Sequence, residues 1–349
     1  MVRPQRIVRT GVALAVLAPM VAGCSLLGTD ADGEADTVVL LTHDSFSLPQ
    51  ELFDAFEEST GIRIDHRAQG DAGSLTTSVV LTKDDPLGDV VFGIDNTFAS
   101  RAIDASVFTD FEAAVAVPEE FRYPGSAALT PIDYGDVCIN IDTRFFAEND
   151  IAEPETLDDL LSENHRDLTV VQNPATSSPG LAFLLATVET FGDGWQDYWT
   201  ALRDNGVRVA DGWTQAYYGD FSGTDGDGNR PIVVSYASSP PAEAGEDGTP
   251  PPTRALDATC FRQIEYAGVL AGTEKPAEAG QVIDFLLSPE VQEAFPDNMY
   301  VFPVVEGTPL PDAYEKYAPA PANPITMSPE RIGDNRDQWI SEWRSLVLG

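Results

Sequence analysis

Basic side chains are scarce in this chain: 20 Lys and Arg stand against 57 Asp and Glu, for a formal net charge of −37 at pH 7. Phosphate contacts need a basic face, so this balance argues against a nucleic-acid partner. It also leaves no polybasic patch for anionic lipids. Histidine is rare, with three in all, His43, His66 and His165. No H-E-x-x-H, C-x-x-C, G-x-S-x-G or P-loop pattern occurs, and carboxylates are too plentiful for one pair to stand out as acid and base. Asp225, Asp227 and Asn229 suggest a calcium loop only superficially, because Arg230 takes the Gly position and Tyr236 the bidentate-Glu position. No resident metal or cofactor is expected, and catalysis is the weaker hypothesis.

Long apolar runs are missing too. Arg3, Arg6 and Arg9 precede an apolar stretch over residues 11–22 that is too short to span a bilayer. It ends Val21-Ala22-Gly23-Cys24, which resembles the lipobox of bacterial lipoproteins, where the Cys becomes the lipidated N-terminus. Residues 1–23 are read as a signal peptide, and 24–36 as the lipidated Cys and a Gly- and acid-rich flexible tether. More than one acyl chain would anchor stably. The body is expected to be soluble, extracytoplasmic and anchored to the cell membrane. With Cys24 committed to lipid, Cys138 and Cys260 remain of three cysteines. An oxidising compartment favours their pairing, the alternatives being buried thiols or a bond to another chain.

Strand-like runs at 37–41, 61–66 and 89–92 alternate with helical patterns at 49–59 and 74–81. A second set begins near Leu168, with helices at 180–191 and 194–205 and a strand at 206–210. Trp195, Tyr198, Trp199 and Leu202 lie at helical spacing and read as core. Alternation of this kind points to an α/β fold with a largely parallel sheet. Two β-like runs, 133–142 and 258–266, bracket the second set. The chain thus leaves one lobe, builds another and returns: a bilobal α/β fold with a two-strand hinge and a ligand cleft between the lobes. Lobe 1 is assigned 37–134 and 265–349, lobe 2 135–264. Cys138 and Cys260, if on the crossing strands, would stitch the hinge. Later helices open at Ser288-Pro289 and Ser328-Pro329. No internal repeat is evident.

The most informative segment is Gln172–Leu181, QNPATSSPGL. A strand-like run empties into Asn-Pro, then Thr176, Ser177 and Ser178, then Pro-Gly and a helical stretch. Hydroxyls before Pro179 read as a helix cap, and a helix start suits a small anion or a polar ligand.

With other segments it carries a wider resemblance. Thr42-His43-Asp44-Ser45-Phe46, Gly88–Asn96, Pro131-Ile132-Asp133-Tyr134-Gly135, Gly212-Trp213-Thr214-Gln215-Ala216-Tyr217, the run Val234–Pro240 and Trp339-Ile340-Ser341-Glu342-Trp343 follow in order. Together the set resembles the thiamine-binding proteins of ABC importers. The resemblance implies a monomeric periplasmic-binding-protein-class receptor that delivers thiamine, its monophosphate or its diphosphate to permease subunits. By position it implies ligand contacts at Asp71, Ala72, Ser177, Ser178, Trp213, Tyr236, Ala237, Ser238, Ser239 and Pro240. Trp213 and Tyr236 would stack on a ring or hold the thiazolium by cation–π attraction. Asp71 and Asp95 would balance its charge, and Ser177 and Ser178 would take the hydroxyl or a phosphate. His43 and Ala242 stand where the family pattern has aromatics, and Tyr300 where it has Trp. A ferric-ion receptor using Tyr217-Tyr218 is the nearest alternative, and a lipoprotein phosphate-ester hydrolase a more distant one.

Overall fold

The computed structural model describes residues 36–245 and 248–349. The signal peptide, Cys24 and most of the tether lie outside them. The first stretch runs β1 (Asp36–Thr42), α1 (Gln50–Thr60), β2 (Ile62–Ala68), α2 (Ala72–Leu81), β3 (Val90–Asp95), α3 (Ala99–Asp104) and the short β4 (Phe108–Thr109). Then come β5 (Thr130–Asp142), α4 (Thr143–Asn149), β6 (Thr169–Gln172), α5 (Ser178–Phe191), α6 (Trp195–Asp204), β7 (Arg208–Ala210), β8 (Ile232–Tyr236) and β9 (Thr253–Ala255). The return is β10 (Phe261–Leu270), α7 (Pro276–Leu286), α8 (Pro289–Met299), β11 (Phe302–Pro303), α9 (Asp312–Tyr317) and α10 (Pro329–Val347).

The main sheet has the order β2-β1-β3-β10-β5-β8-β6-β7. β1 pairs with β2 and β3 in parallel, and β6 pairs with β7 and β8 in parallel. β10 and β5 cross the middle and are antiparallel to each other and to their outer neighbours. The expected two crossing runs are therefore the centre of one continuous sheet. β5 begins at Thr130, earlier than the sequence pattern suggests, and every residue but Tyr134 is buried along it. β10 begins later, at Phe261, because Asp257–Thr259 turns as a 3₁₀ segment.

Cys138 on β5 and Cys260, immediately before β10, are disulfide-bonded with Cα atoms 4.2 Å apart. Two residue pairs further along the ladder, Arg262 faces Asp136, and its Nε donates to Asp136 Oδ1 at 2.7 Å. Local signals behave as their chemistry requires. α1 stops at Gly61, whose φ of 74° lets its N–H reach back to the Glu57 carbonyl. α5 is capped by Ser177 with Pro179 in its first turn.

One core cluster packs α1, α7 and α8 on the β1–β3 side, around Val38, Leu40, Phe92, Val282 and Phe295. A second joins α2 and α3 to α5, α6 and α10, so apolar contact runs unbroken from the β3 side to the β6 side. Within it Trp199 and Trp343 meet edge to face at 5.5 Å, worth about 0.5–1.5 kcal/mol beyond their burial. No helix among the described residues is long and apolar enough to cross a membrane.

Candidate functional site

The site forms where the start of α2 meets the start of α5. A helix start leaves unpaired N–H groups, and Asp71 supplies acceptors to both helices. Its Oδ1 accepts from Ala72 N at 2.6 Å and from Ser178 N at 3.2 Å, and its Oδ2 from Trp213 N at 2.9 Å. The backbone closes the same junction, because Gly73 N donates to the Thr176 carbonyl at 2.9 Å. A Cβ on Gly73 would stand 2.8 Å from that carbonyl, so the approach requires glycine. The α2 start is two residues earlier than the sequence pattern indicates, which is what brings Asp71 into capping position.

Behind this junction lies a row of acids. Glu265 on β10 pairs in register with Asp95 on β3 and with Asp133 on β5. All three are buried. Asp95 Oδ1 accepts from Thr97 N, Thr97 Oγ and Phe98 N, and its Oδ2 accepts from Ser178 Oγ. Burial drives Asp95 up to about 7, against the hydrogen bonds from Ser178 and Thr97, with Glu265 adding to the rise. Burial likewise raises Asp71, opposed by its hydrogen bonds from Trp213, Ser177 and Ser178. Asp133 is raised further by burial and by the adjacent Glu265. Glu265 is the group that the carboxyl of Asp133 faces, and no other side chain or backbone group among the described residues bonds either of its oxygens. His43 Nε2 stands 3.6 Å from Glu265 Oε1. Burial works against its charge, but Glu265, Asp71 and Asp44 together outweigh it and the imidazole is raised overall.

Facing the acids is an aromatic group. Trp213 stacks on Tyr217 with centroids 4.9 Å apart and meets Tyr218 edge-on at 5.5 Å. Tyr300 and Tyr236 lie 6.0 and 6.3 Å from it. Trp213 Nε1 donates to Ser235 Oγ at 2.9 Å, and Ser235 and Ser239 share a 2.7 Å hydroxyl contact, which fixes the indole. Tyr218 OH donates to Tyr300 OH at 2.8 Å, and Tyr217 OH to Glu243 at 3.1 Å.

Two adjoining spaces share part of their walls. An inner cavity of about 20 Å³, enough for a water or two, is walled by Asp71, Ala72, Ser178, Trp213, Tyr236 and Glu265, with His43 and Met299 beside them. Ser45, Trp213 and Met299 also border an outer hollow of about 400 Å³ that adds Asp44, Tyr218, Asp297 and Tyr300. No Lys or Arg lines either space. The arrangement suits a flat cation: aromatic faces on one side, carboxylates on the other.

Of the residues singled out from sequence, Asp71, Ala72, Ser178, Trp213 and Tyr236 line the inner cavity and Tyr300 the outer hollow. Asp95 reaches the site through Ser178, while Ser177 caps α5 from a fully buried position. Ala237, Ser238, Ser239 and Pro240 line neither space. Ala237 packs on the disulfide, Ser238 Oγ donates to the Tyr300 carbonyl at 2.5 Å, Ser239 Oγ accepts from Tyr236 N at 3.2 Å, and Pro240 opens a 3₁₀ turn. Glu265 and Asp133 were not singled out for the site. Their one local signal is a charged side chain inside an otherwise apolar strand.

Comparison with known proteins follows the same lines. The sequence profile of a family described as bacterial extracellular solute-binding proteins matches residues 85–324. The chain is 28% identical over 318 residues to the thiamine-binding periplasmic protein of Escherichia coli K12, covering 89% of this chain and 93% of that one. Its counterpart in Brucella suis is 26% identical over 317 residues, covering 88% and 91%. A solved periplasmic thiamin-binding protein superposes with a TM-score of 0.78 at 27% identity, covering 89% of this chain and 96% of its own.

Proposed function

Because the chain belongs to the bacterial extracellular solute-binding protein family, we propose that it is the thiamine receptor of an ABC importer. Binding proteins, not enzymes, are what it resembles over 89% of its length. In this reading it captures thiamine outside the cytoplasm, anchored as a monomer through lipidated Cys24, and hands it to the permease subunits. β5 and β10 serve as the hinge between lobes 37–134 with 265–349 and 135–264. The observation that carries the assignment is the aromatic group around Trp213 set against Asp71 and Glu265, with no Lys or Arg on either wall. Thiamine offers a fixed thiazolium charge and a flat pyrimidine, which those two walls complement. The names of the relatives point the same way.

The site supports thiamine itself over its monophosphate and diphosphate. The α5 start, an anion site in the sequence reading, already gives its Ser178 N–H to Asp71 and its Ser178 hydroxyl to Asp95. A phosphate placed there would meet carboxylates instead of free donors. Ser177 and Ser178 then act by holding the acids, and Asp71 by binding both helices. The iron alternative draws less support. Burial raises the phenols of Tyr217 and Tyr218, and their hydroxyls already bind Glu243 and Tyr300.

Indole fluorescence tests the assignment. Thiamine should quench it saturably through Trp213. A visible phenolate band on adding ferric ion, with no response to thiamine, would replace this reading with the iron one.

A further inference from the structure

A hollow of about 540 Å³ lies between α3, α10 and the turn before α5. Arg101 of α3 and Arg336 and Arg344 of α10 line it, with Phe98 and Ile340 as apolar wall. Asp337 is the one acidic side chain on that wall, and it accepts from Arg336 Nε at 3.1 Å. Arg336 is only 4% exposed, and its Nη1 donates to Ser100 Oγ at 3.1 Å. A guanidinium carries five N–H groups, and the rest of those on Arg336 have no acceptor among the described residues. Arg101 donates to Thr77 Oγ at 3.1 Å and has no carboxylate partner among the described residues. Arg344 engages none through its side chain among the described residues.

Most of the other described arginines sit against acids, as Arg208 does with Asp220, Arg254 with Glu153 and Arg262 with Asp136, Arg63 and Arg230 being exceptions held by a hydroxyl and by backbone carbonyls. Acidic side chains outnumber basic ones 57 to 20 in this chain. Three guanidinium groups on one hollow, two with no side-chain carboxylate paired to them among the described residues, therefore concentrate positive charge there. Their mutual repulsion is relieved by a bound anion, and the planar fork of Arg matches oxyanion geometry.

We propose that this hollow is a second binding site, separate from the cleft, that takes a small polyvalent oxyanion of the phosphate class, inorganic or carried on an organic group. The bound anion bridges Arg101 on α3 to Arg336 and Arg344 on α10. Ala175 on the same wall belongs to the turn whose Thr176 carbonyl accepts from Gly73, so the site adjoins the closed junction.

Calorimetric titration of pyrophosphate into the full chain at low salt tests this, with and without saturating thiamine. Saturable one-site binding is expected, unchanged by thiamine, retained in Ser178→Ala, and weakened at least tenfold in Arg101→Gln/Arg344→Gln. Folding of the double variant is checked by its circular dichroism. Adenosine diphosphate binding tighter than pyrophosphate would identify an organic phosphate held on Phe98 and Ile340, and equal affinity an inorganic one. Displacement by thiamine, loss in Ser178→Ala, undiminished binding in the arginine variant, or no saturable heat would each overturn the proposal. The arginine arm reads independently of whether thiamine is the cleft ligand.

Discussion

Asp95→Asn should reverse the usual effect of losing a buried hydrogen-bonded carboxylate. Asp95 is fully buried, and its Oδ1 accepts from Thr97 N, Thr97 Oγ and Phe98 N. An Asn oxygen keeps those bonds, and its NH₂ faces Ser178 Oγ, which can accept as well as donate. Shape and hydrogen bonding therefore survive while the titration disappears. In the native protein burial lifts Asp95 to about 7 against the Ser178 and Thr97 hydrogen bonds. An unfolded Asp titrates near 3.9, so between roughly 4 and 7 the folded chain holds a proton the unfolded chain has released. Stability from this group is full below that window and is lost as pH rises through it.

At about 1.4 kcal/mol per unit, the advantage of Asp95→Asn over the parent should grow by roughly 2–3 kcal/mol from pH 5 to pH 8. Urea denaturation of ligand-free protein at both pH values measures it, with equal m-values required for the comparison. The same loss of stability at both pH values would refute the reasoning.

Trp213→Ala should weaken thiamine binding by ~1–3 kcal/mol, with Trp213→Phe recovering part; unchanged affinity in a folded variant would leave Trp213 a core residue alone. Gly73→Ala puts a Cβ 2.8 Å from the Thr176 carbonyl, so it should open the α2–α5 junction and speed hydrogen exchange at the amide of residue 73, which donates to that carbonyl, whereas protection there equal to the parent's would refute the close-approach argument. Joint replacement of Cys138 and Cys260 by Ser opens a link spanning 122 positions and should cost ~2–5 kcal/mol in denaturant unfolding. Arg262→Ala leaves Asp136 buried without its partner and should destabilise the protein by ~3–5 kcal/mol, more than Arg67→Ala at an exposed pair.

What the sequence disclosed was mostly local. The cap at Ser177, the Pro in the first turn of α5, the aromatic stripe of α6 and the alternation of strands and helices are all written within ten or so neighbouring residues. The disulfide was legible because only two cysteines remained to pair. The acid row was not, because Asp95, Asp133 and Glu265 become neighbours only through strand register across the whole chain. Asp71 was placed at the site, but its part in joining two helix starts depends on Ser178 and Trp213 lying beside it in space. The same holds for the α5 start, where Ser178 meets Asp71 and Asp95 from distant strands and loops. Tyr217 and Tyr218 lie in a π-helical turn, Gln215–Asp220, that no residue pattern announced.

The central claim is that an aromatic and acidic cleft receives an unphosphorylated thiazolium cation. Isothermal titration of the chain with thiamine, thiamine monophosphate and thiamine diphosphate at neutral pH tests it most directly. Saturable binding is predicted for thiamine, weakening with each added phosphate. No heat from thiamine, or diphosphate binding tighter than thiamine, would contradict it.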